Sequence, residues 1–391
     1  MIGVVGTERR PRGGTRSRAS ERDAWIALSL VPGLGPAGFA QLVRFHGSAG
    51  AAWAAGGSGM RAATGLPASV ADALDERRRR ADPRGIANGV AQAAASLGGR
   101  VATELDEDYP PALLALDPRP PVLYLSGDRS AFEQRAVAIV GTRSASGYGL
   151  AVAAEIADDL ARAGVVVVSG LAMGIDGAAH RAAVAAGGPS IAVLPSPLDR
   201  VYPPRHRGLA RELVAAGGAL VTELPMGASV GRPDFARRNR IIAGLCEAVV
   251  VVEAPDRSGA LLTAAAATAI GRELYAVPGP IDAMASRGCN RLIADNLATI
   301  VTSSASVLAQ IGLRRAAQPP ALESLSEVEG ILLKRLLERS GSLEELVDRT
   351  HQPPAAVASA LGMLEARGLV DPFGGATFHP TLLARRLAGL A

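Results

Sequence analysis

Residues 136–149 read AVAIVGTRSASGYG, and this stretch decides the fold class. Four consecutive apolar residues, Val137 to Val140, are too few for a helix and stop at Gly141, the pattern of a strand buried on both faces. Such a strand belongs to a parallel sheet covered by helices. The small, polar turn Gly141 to Ser146 runs into a helix beginning near Gly147, which predicts backbone N–H groups without partners at one edge of the sheet. An edge of that kind attracts anions, and Arg143 inside the turn is placed to grip a phosphate in bidentate fashion. A strand, a glycine turn and a helix also occur in α/β proteins at large, where Arg143 would be a solvated surface charge. The stretch is neither a GxGxxG nor a P-loop ending in Lys-Ser/Thr, so neither a dinucleotide nor ATP follows from it, and no cofactor is expected.

On either side of this stretch, short β-rich runs alternate with helical segments from Arg100 onward. Strands are expected at Arg100–Thr103, Val122–Leu125, Val137–Val140, Val165–Ser169, Ile191–Leu194, Ala219–Thr222, Ala248–Glu253 and Leu274–Val277. Helices fit between most of them, which predicts a doubly wound, mostly parallel sheet with ligands in the crevice beyond the carboxyl ends of its strands. Residues 100–312 form this domain. Before it, residues 21–99 read as helical, opened by a capping box at Ser20 and Asp23 and turned at Val31-Pro32-Gly33-Leu34-Gly35-Pro36 into a helix, hairpin, helix unit. A PGLG hairpin either presents N–H groups to a phosphate or is only a tight corner. The run Arg77 to Arg80 reads as a solvated helix face. After residues 313–323, a polar linker, residues 324–391 hold three short helices and a two-stranded wing around Gly374-Gly375, the outline of a winged helix.

The chain has 391 residues, 48% of them hydrophobic, enough for two or three domains with packed cores. No apolar run reaches the length of a membrane span, and residues 1–20 carry five arginines with no apolar segment, so they read as a disordered basic tail and not as a secretory signal. Cys246 and Cys289 cannot make a zinc site between them and suit a reduced, cytoplasmic setting, with no metal expected. The net charge of +4 hints at a polyanionic partner. Lys334 is the only lysine, a bias typical of a GC-rich genome, so the weight falls on where the arginines lie.

Three further stretches place small or cationic groups at strand ends. The first, Ser169-Gly170-Leu171-Ala172-Met173-Gly174, precedes a helix with Asp176 and His180; the second, Arg237-Arg238-Asn239-Arg240, is read as opening a helix; the third, Arg257 to Thr263, contains Ser258 and Gly259. With Gly141, Thr142, Arg143 and Ser144 they line one rim with N–H groups, hydroxyls and arginines, an anion groove rather than an acid/base site. Three arginines at a helix start, where the dipole disfavours cations, point to a bound anion, although local carboxylates would also satisfy them. Asp176 and His180 stand four apart on a helix, spaced for a catalytic pair, yet no nucleophile or second base accompanies them and an orienting role fits better. Tyr148, Tyr202 and Phe235 suit either base stacking or a core.

The motifs GTRSASGYG, SGLAMGIDGAAH, LDRVYPP, ARRNRIIAGL, RSGALLTAAAA, AVPGPID and SRGCNRLI occur in the order and spacing of the DprA (Smf) DNA-processing family, which residues 100–312 resemble. The resemblance implies an extended Rossmann-like fold, a SAM-like helical domain before it and a winged helix after it. It also implies a non-enzymatic protein that binds and protects single-stranded DNA, helps load the RecA recombinase during natural transformation, and forms a homodimer. Three departures stand out. Met173 replaces a basic residue of the family's SGLA[RK]GID, Pro195 and Pro197 stiffen a loop that is usually glycine-bearing, and Ala294 and Asn296 replace basic and glycine positions near the end.

Two other functions compete. Related Rossmann-like sheets hydrolyse nucleoside monophosphates with a PGGxGTxxE loop, but in this chain Thr263 is followed by alanines with no glutamate. A transcription factor working through the winged helix is disfavoured because Ala355–Ala366 offers no Arg, Asn or Gln to read base edges.

Overall fold

The computed structural model describes residues 15–63, 65–313, 325–366, 368–373, 377–381 and 384–385. They form two compact units, Met1–Arg315 and Ala316–Ala391. Most of the expected basic tail, residues 1–14, and Gly374-Gly375 of the expected wing lie outside the described residues. Residues 15–20 are not tail: helix α1 spans Thr15–Ser29, so Ser20 lies within it and caps nothing. Thr15 to Ser20 holds neither proline nor glycine, and nothing in it halts a helix propagating toward the N-terminus.

The first unit contains, among the described residues, a nine-stranded sheet. Its strands are β1 (Gly99–Thr103), β2 (Val122–Gly127), β3 (Ala136–Gly141), β4 (Val166–Ser169), β5 (Ser190–Val193), β6 (Ala219–Thr222), β7 (Ala248–Val252), β8 (Glu273–Ala276) and β9 (Thr299–Ile300). Their order is β1-β2-β6-β5-β4-β3-β7-β8-β9. From β6 to β9 every pairing is parallel, with Val137 beside Val167 on one side and beside Ala248 on the other. The β1–β2 and β2–β6 pairs are antiparallel, so the sheet is mostly parallel, as the alternating pattern predicts. The eight expected strands match within about two residues at each end. The ninth, Thr299–Ile300, escaped notice because two residues are too short to show a period.

Side chains alternate between the two faces, which is why Val137 and Ile139 join one core while Ala138 and Val140 join another. The first core is sealed by α6 (Gly147–Arg162), α7 (Ile175–Ala185) and α12 (Ser304–Gln310). The second is sealed by α9 (Arg232–Leu245), α10 (Gly259–Ala269) and α11 (Arg287–Ala294). A third core joins α1, α2 (Pro36–His46), α3 (Ala49–Ala63), α4 (Ala68–Arg80), α5 (Pro83–Ala95) and α8 (Arg207–Ala215) to the sheet, where Trp25, Phe39 and Leu74 share one cluster with Val101, Tyr124 and Leu194. Arg79 and Arg80 pair with Glu76 on the surface of α4, whereas Arg77 is partly buried.

In the second unit, α13 (Glu327–Glu338), α14 (Leu343–Thr350) and α15 (Pro354–Ala366) close over Leu332, Leu336, Leu346 and Leu361. Strands β10 (Gly341–Ser342), β11 (Val370–Phe373) and β12 (Thr377–Pro380) pair antiparallel in the order β10-β12-β11.

Candidate nucleic-acid interface

The chain leaves β3 in two directions, through β4, β5 and β6 on one side and through β7, β8 and β9 on the other. The reversal lies between β3 and β7, and open α/β sheets bind ligands beyond the strand ends at such a point. A cleft of 430 Å³ opens there, and Gly141, Thr142, Arg143 and Ser144 reach it from the end of β3. Arg238 and Asn239 reach it from α9, and Ser258, Gly259 and Thr263 from the start of α10. A smaller cavity of 40 Å³ shares Arg143 and Arg238 with the cleft and brings in Gly170 and Met173.

The turn after β3 is held from within. Thr142 N donates to the carbonyl of Glu253 at 2.8 Å, Ser146 N donates to its carboxylate at 2.9 Å, and the Ser146 hydroxyl donates to the same carboxylate. Ser146 Oγ in turn accepts from Gly149 N at 3.1 Å and caps α6. Glu253 is buried and adopts a positive φ of 50°, which turns its side chain onto the helix N-terminus, where a carboxylate is favoured. A Cβ at Gly149 would collide with that carboxylate, which is why a glycine stands there. The N-terminus of α6 therefore holds an anion supplied by the chain.

The Ser169–Gly174 loop is built the same way. Buried Asp176 accepts from Gly170 N at 3.1 Å and from Ala172 N at 3.3 Å, and Ile175 N donates to Thr142 O at 3.3 Å. Gly174, at φ 75°, packs so tightly that a Cβ would stand 2.7 Å from the Arg143 carbonyl oxygen. The expected cradle of free N–H groups is thus largely consumed internally, because a buried loop must satisfy its own amides. What faces the cleft is mainly side chains.

Arginines supply its charge. Arg143 is exposed, with its guanidinium 5.1 Å from the centre of the Phe235 ring. Arg232, at the first turn of α9, and Arg257, before α10, line the same cleft, and among the described residues neither these two nor Arg143 forms a salt bridge. Arg232 was missed in the sequence, whereas Phe235, read there as suiting either base stacking or a core, lines the cleft. A cation at the start of a helix, where the dipole repels it, was the available signal for Arg232.

The Arg237–Arg240 run does not open a helix, since α9 begins at Arg232 and Asp234 accepts from Gly231 N at 2.8 Å to cap it. With about 100° of rotation per residue, the four side chains point four ways. Arg238 and Asn239 turn inward, and the Arg238 guanidinium donates to Gly170 O at 2.6 Å and to Val193 O. Burial pushes the Arg238 pKa down to about 10, while burial pushes that of Asp176 up and the nearby Arg238 charge pulls it back. Arg237 points outward, 3.5 Å from Asp234. Arg240 turns to Glu223 and to Pro118 O, at 2.9 Å from the latter, and neither Arg237 nor Arg240 lines the cleft or the smaller cavity.

Ser169 is also internal, its hydroxyl donating to Ile139 O at 2.5 Å. Asp176 and His180 do not meet as a pair. His180 Nδ1 lies 2.8 Å from the Ser190 hydroxyl, which donates onward to Val167 O, so the ring is the neutral Nδ1–H tautomer. Burial pushes the His180 pKa down to about 3. Asp176 orients its loop, and among the described residues no group of three or more His, Cys, Asp or Glu is placed to hold a metal ion.

The fold and cleft define a class: an open, mostly parallel α/β protein with a cationic, nucleotide-sized site at its switch point and Asp176 as the one carboxylate lining it among the described residues. The chain belongs to the DprA/Smf family, a family of DNA-binding, non-catalytic proteins, and its residues 100–312 match the family described as DNA recombination-mediator protein A. It is 39% identical over 278 residues to Protein Smf of Escherichia coli, covering 69% of this chain and 74% of that protein. It is 40% identical over 294 residues to a putative DNA processing protein DprA of Mycobacterium tuberculosis, covering 70% and 75% respectively. The crystal structure of DprA from Streptococcus pneumoniae superposes with a TM-score of 0.60 at 30% identity, covering 74% of this chain and 97% of that one.

Proposed function

We propose that this protein binds single-stranded DNA in the cleft between β3 and β7, protects it and delivers it to the RecA recombinase in natural transformation. The observation that carries the reading is the convergence of Arg143, Arg232 and Arg257, none engaged by a carboxylate among the described residues, at the switch point of a recombination-mediator fold. Unpaired cations gathered on one cleft favour a phosphate backbone through counterion release. Tyr202 is exposed beside them, and an aromatic beside cations suits unstacked bases rather than a duplex. A homodimer, a SAM-like character for α1–α5 and a winged-helix character for the second unit complete the proposal, on the strength of family membership. Titration of the full chain with single-stranded and double-stranded DNA of equal length, at two salt concentrations, tests it. Tighter, salt-dependent binding of the single strand is expected, and equal or weaker affinity for it would overturn the reading.

A further inference from the structure

Beside the arginine cleft lies an apolar step that the charge argument does not use. Tyr202 and Phe235 meet edge to face, with ring centroids 5.5 Å apart and planes at 84°. Arg143 stands over the Phe235 ring, so the cation of the cleft and the aromatic pair form one continuous surface. Tyr202 is 42% exposed although its backbone is fixed, its N–H donating to the buried Ser196 hydroxyl at 3.2 Å. The small cavity at this place is walled by Met173, Pro195, Tyr202, Pro203 and Phe235, with charge only from Arg143 and Arg238. Met173, which in sequence reads as a lost phosphate contact, is here part of an apolar wall.

We propose that Tyr202 is a stacking platform for an unpaired nucleobase of the strand whose phosphates lie on Arg143, an inference that rests on reading the cleft as a single-strand site. A flat π-system next to a guanidinium matches a nucleotide, which presents an apolar face and an anion a few ångströms apart. The Ser196 hydrogen bond fixes the Tyr202 backbone and Phe235 contacts its ring edge to face before binding, which lowers the ordering cost. The platform gives affinity per base without reading sequence, because every base has a π-face.

The test compares an oligo-dT with an abasic phosphodiester strand of equal length, each titrated into the full chain and its Tyr202→Ala, Tyr202→Leu and Tyr202→Phe variants at two salt concentrations. The parent should prefer oligo-dT, Tyr202→Ala and Tyr202→Leu should shrink that preference roughly tenfold with an unchanged salt slope, and Tyr202→Phe should keep it. Tyr202→Leu retains an apolar contact with Phe235, so a folding defect in the alanine variant does not leave the question open. A preference that survives in Tyr202→Leu, or an equal loss on both strands, overturns the platform. If the parent's binding to both strands ignores salt, the phosphate cleft itself is wrong, a result separable from the first.

Discussion

Arg143 and Arg240 are the same residue type in two stretches that read alike, yet their surroundings give them opposite roles. Arg143 is exposed on the cleft and unpaired with carboxylates among the described residues, whereas Arg240 is held between Glu223 and Pro118 O. Arg143→Ala should flatten the dependence of log K for single-stranded DNA on log salt by about 0.7, and Arg240→Ala should leave that slope alone. Instead Arg240→Ala should destabilise the fold by about 3 kcal/mol, because it strands a largely buried Glu223 carboxylate, and urea titration reads this directly. Equal slopes for Arg143→Ala and the parent would place the DNA elsewhere. His180 offers a second residue-level test. Its pKa is about 3 in the folded chain against about 6.5 when unfolded. Above pH 6.5 both states are neutral and the group adds no pH dependence; as pH falls from 6.5 toward 3 only the unfolded chain takes up the proton, so stability is lost. At pH 5 the loss amounts to about 2 kcal/mol. His180→Asn keeps a donor toward Ser190 and should remove that component, so its stability difference between pH 7 and pH 5 should be smaller by this amount. An unchanged difference would mean that the native ring protonates freely.

At the scale of the element, α6 shows how a helix that looks like an anion site is already satisfied. Glu253, at the end of β7, lies over the first turn of α6 and binds Ser146 through both its N–H and its hydroxyl. The same contacts tie β7 to the turn after β3 and so fix the direction in which Arg143 leaves the turn. Glu253→Gln should cost about 1 to 2 kcal/mol by weakening the charge-assisted hydrogen bonds, and it should also lower DNA affinity although Glu253 itself repels phosphate. Calorimetry with a matched binding titration checks both. A rise in affinity on removing the charge would show that α6 takes the phosphate after all. Helix α9 teaches a related lesson, since moving its start from Arg237 to Arg232 changes which arginines face the cleft.

At the scale of the molecule, the first unit contains the whole of the cleft and the aromatic step beside it, while the second unit has its own core around Leu332 and Leu361. Removing residues 324–391 should therefore leave most single-strand affinity and its salt slope intact, measured on a truncated chain whose thermal unfolding remains cooperative. Loss of binding in such a folded chain would move the DNA site to the second unit. The first unit does not divide as cleanly. Helices α1–α5 share a core with β1 and β2, and Arg22 reaches across to Asp106 at 2.7 Å, so a cut near residue 99 would expose Trp25, Phe39 and Tyr124 together.

The amino-acid sequence by itself determined the class of fold and marked the strand ends beside which a cleft opens, because a parallel strand buried on both faces must read as an unbroken apolar run and its glycine turns mark the strand ends. The four β-branched or small residues before Gly141 and the similar runs at Val165 and Ala248 were legible for that reason. Only the tertiary structure decided which polar groups are free to meet a ligand. Glu253 and Asp176 reach the amides of the two loops from other elements, Glu223 withdraws Arg240, and Arg232 joins Arg143 across a distance of 89 positions in the chain. A hydrogen bond is local in space and not in sequence, so the competition between an internal acceptor and an external phosphate for the same donor is settled only when the strands have been placed side by side.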